Sequence, residues 1–327
     1  MTMIQFQSVS KRFPNGVDAV RDLTLEVQEG ETLVLLGTSG CGKTTTLRMV
    51  NRLTEPTSGC IQIAGENVLD QNPILLRRKI GYAIQHIGLF PHMTVGENIA
   101  VVPRLLNWSP ERIGARVDEM IAMIGLDPNE VRDRYPPQLS GGQRQRIGVA
   151  RALAADPRIV LMDEPFGALD PITREQLQNE FLELESEIKK TILFVTHDLF
   201  EAVKMGDRIA LLDEGRLQQT ATPSELVEHP ANEFVDQFLG QHRFHLSLLT
   251  RSVGTLLRAD QERAFDGPPS ATCLRARDSF VDALDMFRQS GADSLPVRRG
   301  RVLLGILERS ALLDAISEVF GLTDARI

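Results

Sequence analysis

Residues 31–44, ETLVLLGTSGCGKT, carry an apolar strand straight into a glycine-rich turn that closes on lysine and threonine. No other stretch narrows the fold as far. A strand built almost wholly of leucine and valine has no polar face, so it belongs in a sheet covered on both sides. The turn fits G-x-x-x-x-G-K-[ST], with a strand before it and the helical pattern TTTLRMVNRL after it. Glycines there let backbone N–H groups face phosphate oxygens, and the helix start adds its partial positive charge. Lys43 then neutralises β- and γ-phosphate oxygens, and the Thr44 hydroxyl suits Mg²⁺. The nucleotide contacts expected here are Gly37, Thr38, Ser39, Gly40, Cys41, Gly42, Lys43, Thr44 and Thr45. Cys41 neighbours a helix start and Lys43, both of which favour thiolate. Packing beneath the loop as a small buried residue is the alternative.

Two more apolar segments, RIVLMDE and TILFVTHD, read as buried strands, each followed by helical pattern. Such alternation indicates an α/β fold with a mostly parallel sheet and ligands at the strands' carboxyl ends. Asp163 ends the first strand and suits a direct or water-mediated hold on Mg²⁺. Glu164, next to it, is placed to polarise a water toward the γ-phosphate. His197 follows the second strand, and alone such a histidine is more often structural. Gln85 gains meaning only from its order among the other motifs.

Residues 139–143, LSGGQ, form a second phosphate cradle. Ser140 and the N–H groups of Gly141 and Gly142 at a helix start suit a γ-phosphate. With no lysine and no Mg²⁺ ligand, they cannot make a site alone.

Elsewhere, IQFQSVSKRF and RDLTLEVQEG alternate like edge strands joined by PNG. A helical insertion spans about 95–155. In it, Ser109 is expected to cap a helix with Pro110 at its first position, and Ile113, Val117, Met120, Ile121 and Ile124 keep helical spacing. From 241 to 270 the pattern breaks up, ends in DGPPS and reads as a linker. Residues 271–327 read as strand, helix, two strands, helix. At 327 residues the chain fits two domains, 1–240 and 271–327.

A net charge of −8 argues against nucleic-acid binding, which wants a basic face. The cysteines Cys41, Cys60 and Cys273 are far apart and read as free thiols in a reducing compartment. The opening MTMIQFQSVSKRF has no basic region followed by an apolar core, so no signal peptide is expected. The apolar runs are strand-sized and fall short of a membrane span.

Phosphate loop, Gln85, LSGGQ, Asp163, GALD and THD, in that order, resemble the ABC-transporter ATPases over about residues 3–240. The resemblance implies a P-loop NTPase cassette with a mostly parallel core, an antiparallel β edge subdomain and the helical insertion. It implies a homodimer stacked head to tail, each LSGGQ closing over the other subunit's ATP, so that two composite sites follow from a two-fold interface. The contacts made in trans are then Ser140, Gly141, Gly142, Gln143 and Asp170, the last linking the two sites. Phe13 resembles the aromatic that stacks on adenine, with Val20 alongside; the family more often has tyrosine, and a core phenylalanine is the alternative. Gln85 resembles the Mg²⁺-sensing glutamine whose loop touches the membrane subunit, giving Thr44, Gln85 and Asp163 as Mg²⁺ ligands. With Glu164, His197 is implied to orient the attacking water, and Gln85 completes that catalytic set. Implied partners are integral membrane permease subunits and, indirectly, an extracytoplasmic solute-binding protein. The implied location is peripheral, on the cytoplasmic face of the plasma (inner) membrane.

A narrower resemblance lies in GYAIQHIGLFPHMTVGENIAVVPRLLNW and RYPPQLSGGQRQRIGVARALAADPRIVLMDEPFGALDPITREQ. These resemble ATPase subunits of osmoprotectant importers for glycine betaine, carnitine and choline. His86 stands where a polar residue is expected after Gln85. The tail, SFVDALDMFRQSGADSLPV followed by GRVLLGILERSALLDAI, is similar to a single CBS motif, where such subunits often carry two. The tail is also rich in arginine, and pairing of two tails under ionic-strength or nucleotide control is the regulatory expectation. The alternatives are an importer of another small solute, such as an amino acid, or a non-transport ABC ATPase. Lys43 and Met162 are only 119 positions apart, which leaves no room for the coiled-coil arm of chromosome and repair ATPases.

Overall fold

The computed structural model describes residues 1–84, 88–167, 169–188, 190–257, 263–264, 273–299 and 302–324. It divides into two compact units, Met1–Thr220 and Ala221–Ile327.

In the first unit, β1 (Thr2–Arg12) and β2 (Asp18–Gln28) pair antiparallel, as their alternation requires. Ile4 and Phe6 of β1 and Leu23, Leu25 and Val27 of β2 turn inward and are buried. β3 (Thr32–Gly37) enters the central sheet, while β4 (Ser58–Ile63) and β5 (Glu66–Asn67) complete the first sheet in the order β2-β1-β4-β5. The central sheet adds β6 (Ile80–Ala83), β7 (Ile159–Asp163), β8 (Thr191–Val195), β9 (Arg208–Asp213) and β10 (Arg216–Ala221). Its order is β10-β9-β3-β8-β7-β6, with β9, β3, β8, β7 and β6 mutually parallel.

Every residue of β3, β7 and β8 is buried, which explains why these strands lack alternation. Leu33, Leu35, Leu161, Leu193 and Val195 share one core with Ile4, Phe6 and Leu23 of the antiparallel sheet. On the opposite face, Phe194 meets Phe166, which meets Phe181 of the helix Pro171–Ile188 edge-on at 6.2 Å between centroids.

The insertion is helical, with helices Val95–Ile99, Val101–Leu105, Pro110–Met123, Pro128–Val131 and Gly141–Leu153. Ser109 caps the third by accepting from Arg112 N at 3.3 Å, with Pro110 at its first position, as its sequence requires. Val117, Met120, Ile121 and Ile124 are buried, and Ile113 is half-buried.

The second unit opens with helices Pro223–Glu228 and Glu233–Leu239. Within 241–270, expected as a linker, the described residues form a helix, Arg243–Thr250, and a 3-10 turn, Val253–Leu256. Leu246 and Val253 are fully buried there, so apolar packing orders a segment too short to show periodicity. Next come β11 (Arg263–Ala264), β12 (Leu274–Arg275), helix Phe280–Ser290, β13 (Ser294–Arg299), β14 (Val302–Glu308) and helix Arg309–Asp324. The sheet order is β11-β14-β13-β12, and Leu274, Phe280, Phe287, Val297 and Leu312 fill its core. Among the described residues, no helix is long and apolar enough to cross a membrane.

Candidate functional site

The phosphate loop leaves β3 at Gly37 and enters the helix Lys43–Val50 at Gly42. Both glycines are required by space. A Cβ on Gly37 would stand 2.1 Å from Leu212 O, and one on Gly42, at φ +102°, would stand 2.2 Å from Ala19 O. No side chain caps this helix, so its first-turn N–H groups keep their capacity for an anion.

Lys43 Nζ donates to the carbonyls of Gly37 and Thr38, both at 2.8 Å, and so spans the loop. Cys41 is 2% exposed and its Sγ lies 3.7 Å from that ammonium. Burial pushes its thiol up, against the pull of Lys43. The sequence favoured a reactive thiolate, with buried packing as the alternative, and the structure corrects this to packing. The reason is that desolvation outweighs the neighbouring charge. Thr38, Ser39 and Gly40 form the exposed crest of the loop, while Thr44 and Thr45 are half-buried.

The Thr44 hydroxyl donates to Asp163 Oδ1 at 2.8 Å. Asp163 is 2% exposed at the end of β7, and burial raises its carboxyl pKa, opposed by the Thr44 hydrogen bond and by Arg48 and Lys43. Two hard oxygen donors therefore touch each other beside a phosphate cradle. That set fits Mg²⁺, which takes one or two protein oxygens and completes its shell with substrate phosphates and water.

Parallel pairing of β7 with β8 aligns Asp163 with Val195. The residues just past both strand ends are thus neighbours. Glu164 N donates to Val195 O at 3.0 Å, and Glu164 Oε1 lies 3.2 Å from His197 Nδ1. Glu164 holds φ at +46°, an unfavourable region for a residue with a Cβ, and Gly167 N donates to its carbonyl at 3.2 Å. The turn after β7 thereby aims the carboxylate at His197 rather than along the strand.

Ser140 caps the helix Gly141–Leu153 in a reciprocal box with Gln143, at 3.2 and 3.0 Å. Ser140 and Gly141 are exposed, and a Cβ on Gly141 would meet nothing within 4 Å. The helix packs on β6 and on helices Val95–Ile99 and Pro110–Met123. β6 is three strands from β3, or about 14 Å at the usual strand spacing. A Cβ on Gly142 would stand 2.9 Å from Thr173, in the helix that follows Asp170. Exposed Asp170 accepts from Thr173 N at 3.1 Å, and hydrogen bonds from Thr173 hold its carboxyl below the usual range. The structure therefore brings LSGGQ together with Asp170, and the phosphate loop together with Asp163, Glu164 and His197.

Phe13 sits half-exposed in the β1–β2 turn, its N–H donating to Val17 O at 2.9 Å, with Lys11 Nζ 5.2 Å from the ring centroid. Val20 is buried against Gly42 beneath the phosphate loop. Gln85 and His86 lie outside the described residues.

Arg48, Arg174, Gln178 and Glu201 were not singled out from the sequence. Glu201 had a signal: it falls with Ala202 and Met205 on the buried face of the helix Leu199–Met205, where a carboxylate is out of place.

The family described as ABC transporter matches residues 20–167. The choline transport ATP-binding protein OpuBA of Bacillus subtilis is 48% identical over 307 residues, 94% of this chain and 78% of that protein. The osmoprotectant import ATP-binding protein OsmV of Salmonella typhimurium is 52% identical, covering 84% of this chain and 72% of its own. The glycine betaine uptake system ATP-binding protein YehX of Escherichia coli is 50% identical, covering 90% and 94%. Among solved structures, a dimeric post-hydrolysis state of the ATP-binding cassette MJ0796 bound to ADP and Pi superposes with a TM-score of 0.61 at 33% identity. That match covers 67% of this chain and 98% of the other.

Proposed function

This chain belongs to the ATP-binding subunits of ABC importers, which couple ATP hydrolysis to solute import, and we propose that its solute is a quaternary-amine osmoprotectant such as glycine betaine, carnitine or choline. The observation that carries the hydrolytic reading is the 3.2 Å contact of Glu164 with His197, one strand end from the Thr44–Asp163 pair. The solute is supported by three relatives named for choline, osmoprotectant and glycine betaine transport, each matched across most of its length.

In this reading the phosphate loop and the first turn of its helix hold the phosphates, with Lys43 released from the Gly37 and Thr38 carbonyls to meet them. Phe13 stacks on adenine. Mg²⁺ held by Thr44 and Asp163, with Gln85 completing the set, would neutralise phosphate charge. Glu164 accepts the proton of the attacking water, and His197 holds that water and the γ-phosphate in line. The exposed, lysine-free LSGGQ segment supports a partner site: Ser140, Gly141, Gly142 and Gln143, with Asp170, close over the nucleotide of a second copy. The dimeric cassette to which the chain is similar supports that assembly. Permease subunits hold the dimer at the cytoplasmic membrane face, and an extracytoplasmic solute-binding protein supplies the solute. The described strand–helix–strand–strand–helix order of the tail supports its reading as one CBS-like regulatory motif.

The test is uptake of labelled glycine betaine, carnitine and choline in a strain deleted for this gene and complemented with it. Complementation that restores uptake of an amino acid or other solute, and of none of these three, overturns the assignment.

A further inference from the structure

Glu201 is a carboxylate that the hydrolytic chemistry does not use, yet it is only 6% exposed. It faces Gln178, 7% exposed, whose Nε2 donates to Glu201 Oε1 at 3.0 Å. The buried Thr196 hydroxyl favours the charged form of the same carboxylate. Thr196 Oγ1 accepts from Asp198 N at 3.0 Å. Asp198 Oδ1 accepts from Phe200 N and Glu201 N, at 2.9 and 3.1 Å, capping the helix Leu199–Met205. His197 is the residue between Thr196 and Asp198, so this network holds the backbone on both sides of it.

A second strut runs alongside. Arg174 Nη2 donates to Leu169 O at 3.0 Å, and its Nη1 lies 4.0 Å from Asp198 Oδ2. Arg174 and Gln178 are four residues apart on one face of the helix Pro171–Ile188. That helix is therefore tied to segment 196–201 at two successive turns. A leucine at 201 would fill similar volume without the desolvation cost of a carboxylate. Apolar contact, however, has no preferred direction, whereas the hydrogen bond from Gln178 to the buried carboxylate favours one rotation and register.

We propose that Gln178 and Glu201 form a buried brace that positions His197 against Glu164, making Glu201 a positioning residue for ATP hydrolysis. The inference rests on the reading of His197 as a participant in hydrolysis. It predicts that removing the hydrogen bonds lowers kcat and leaves nucleotide affinity alone, because Lys43 and the phosphate loop lie on other elements. Small misplacements of a reacting group cost about ten- to a hundred-fold in rate.

The experiment measures ATP turnover, ATP affinity and thermal melting of the full-length chain carrying Glu201→Leu, Glu201→Gln, Gln178→Met or His197→Ala. Glu201→Leu and Gln178→Met should each lose about ten-fold or more in kcat, with ATP Kd within about two-fold of wild type. Glu201→Gln keeps an oxygen acceptor for the Gln178 amide and should recover most of the turnover. If Glu201→Leu does not fold, Gln178→Met carries the same comparison. Wild-type kcat in both apolar variants, with His197→Ala inactive, overturns the brace and leaves the His197 reading standing. Equal losses in Glu201→Leu and Glu201→Gln also overturn it, since charge and not hydrogen bonding would then be the cause. Near wild-type turnover in His197→Ala removes the residue that the brace is said to serve and overturns both.

Discussion

Glu164 Oε1 and His197 Nδ1 stand 3.2 Å apart at the ends of two adjacent parallel strands, joined by a backbone hydrogen bond from Glu164 N to Val195 O. Glu164→Gln keeps the size of the side chain and a hydrogen-bonding partner for His197, and removes the base. Hydrolysis should fall by about 10² or more while ATP still binds, and an ATP-bound dimer should accumulate on size exclusion. Turnover near wild type would shift the base to His197 or to the substrate itself.

Ser140→Arg puts a long cation where the exposed helix start is proposed to meet a partner's γ-phosphate. It should abolish ATP-driven dimerisation and leave ATP binding by the chain's own loop intact. Ser140→Ala, which removes the hydrogen bond to Gln143 N and costs the cap about 1 kcal/mol, separates lost helix stability from steric blockade. Normal dimerisation of the arginine variant excludes the head-to-tail arrangement.

Cys41 should resist maleimide in the folded protein once Cys60 and Cys273 are replaced by serine. Its thiol is buried beneath the loop and its pKa is raised by that burial, so little thiolate is present at neutral pH. Labelling should appear only on denaturation. Rapid modification of folded protein, blocked by MgATP, would show instead a loop that opens to solvent.

Glu201 carries a pH signature. Burial raises its pKa above the ordinary 4.5; hydrogen bonds from Thr196 and Gln178 oppose that, Asp198 adds to it and Arg174 reduces it. A carboxyl whose folded pKa lies above its unfolded one binds the extra proton in the folded state, so its contribution to stability declines as pH rises from about 4.5 through the folded value. Glu201→Gln abolishes that titration. Its melting temperature relative to wild type should climb as pH rises from 4.5 and then level off. A constant difference from pH 4 to pH 8 contradicts a raised Glu201.

Ending the chain near Gly267 removes Leu274, Phe280, Phe287 and Leu312, which share a core with Leu248 and Val253. The retained part of the second unit should lose its cooperative melting transition in calorimetry, and Met1–Thr220, which holds the phosphate loop, Asp163, Glu164 and His197, should still bind ATP. A truncated chain with both transitions intact would mean that helix Arg243–Thr250 packs independently of the tail.

Much of the site was legible because local backbone chemistry demands it. Only glycine fits at positions 37 and 42, only an apolar run fits a strand buried on both faces, and Ser140 and Ser109 cap their helices through hydrogen bonds three residues long. Such constraints are local, so they are written in consecutive residues. The order of strand, helix, two strands and helix in the tail, from Leu274 to Asp324, was readable for the same reason, whereas the helix Arg243–Thr250 before it was not. What only the tertiary structure decided depends on which elements become neighbours. Glu164 meets His197 because β7 and β8 pair in a particular register, across 33 positions of chain. Cys41 packs as a buried thiol beside Gly37, in the core that also holds Leu33, Leu35 and Leu212, a fact that its proximity to Lys43 in sequence concealed. Gln178 and Glu201 lie 23 residues apart and form a buried pair only when two helices face each other. Desolvation and pairing energies act through space, so a sequence can state which groups are present but not which of them lose water together.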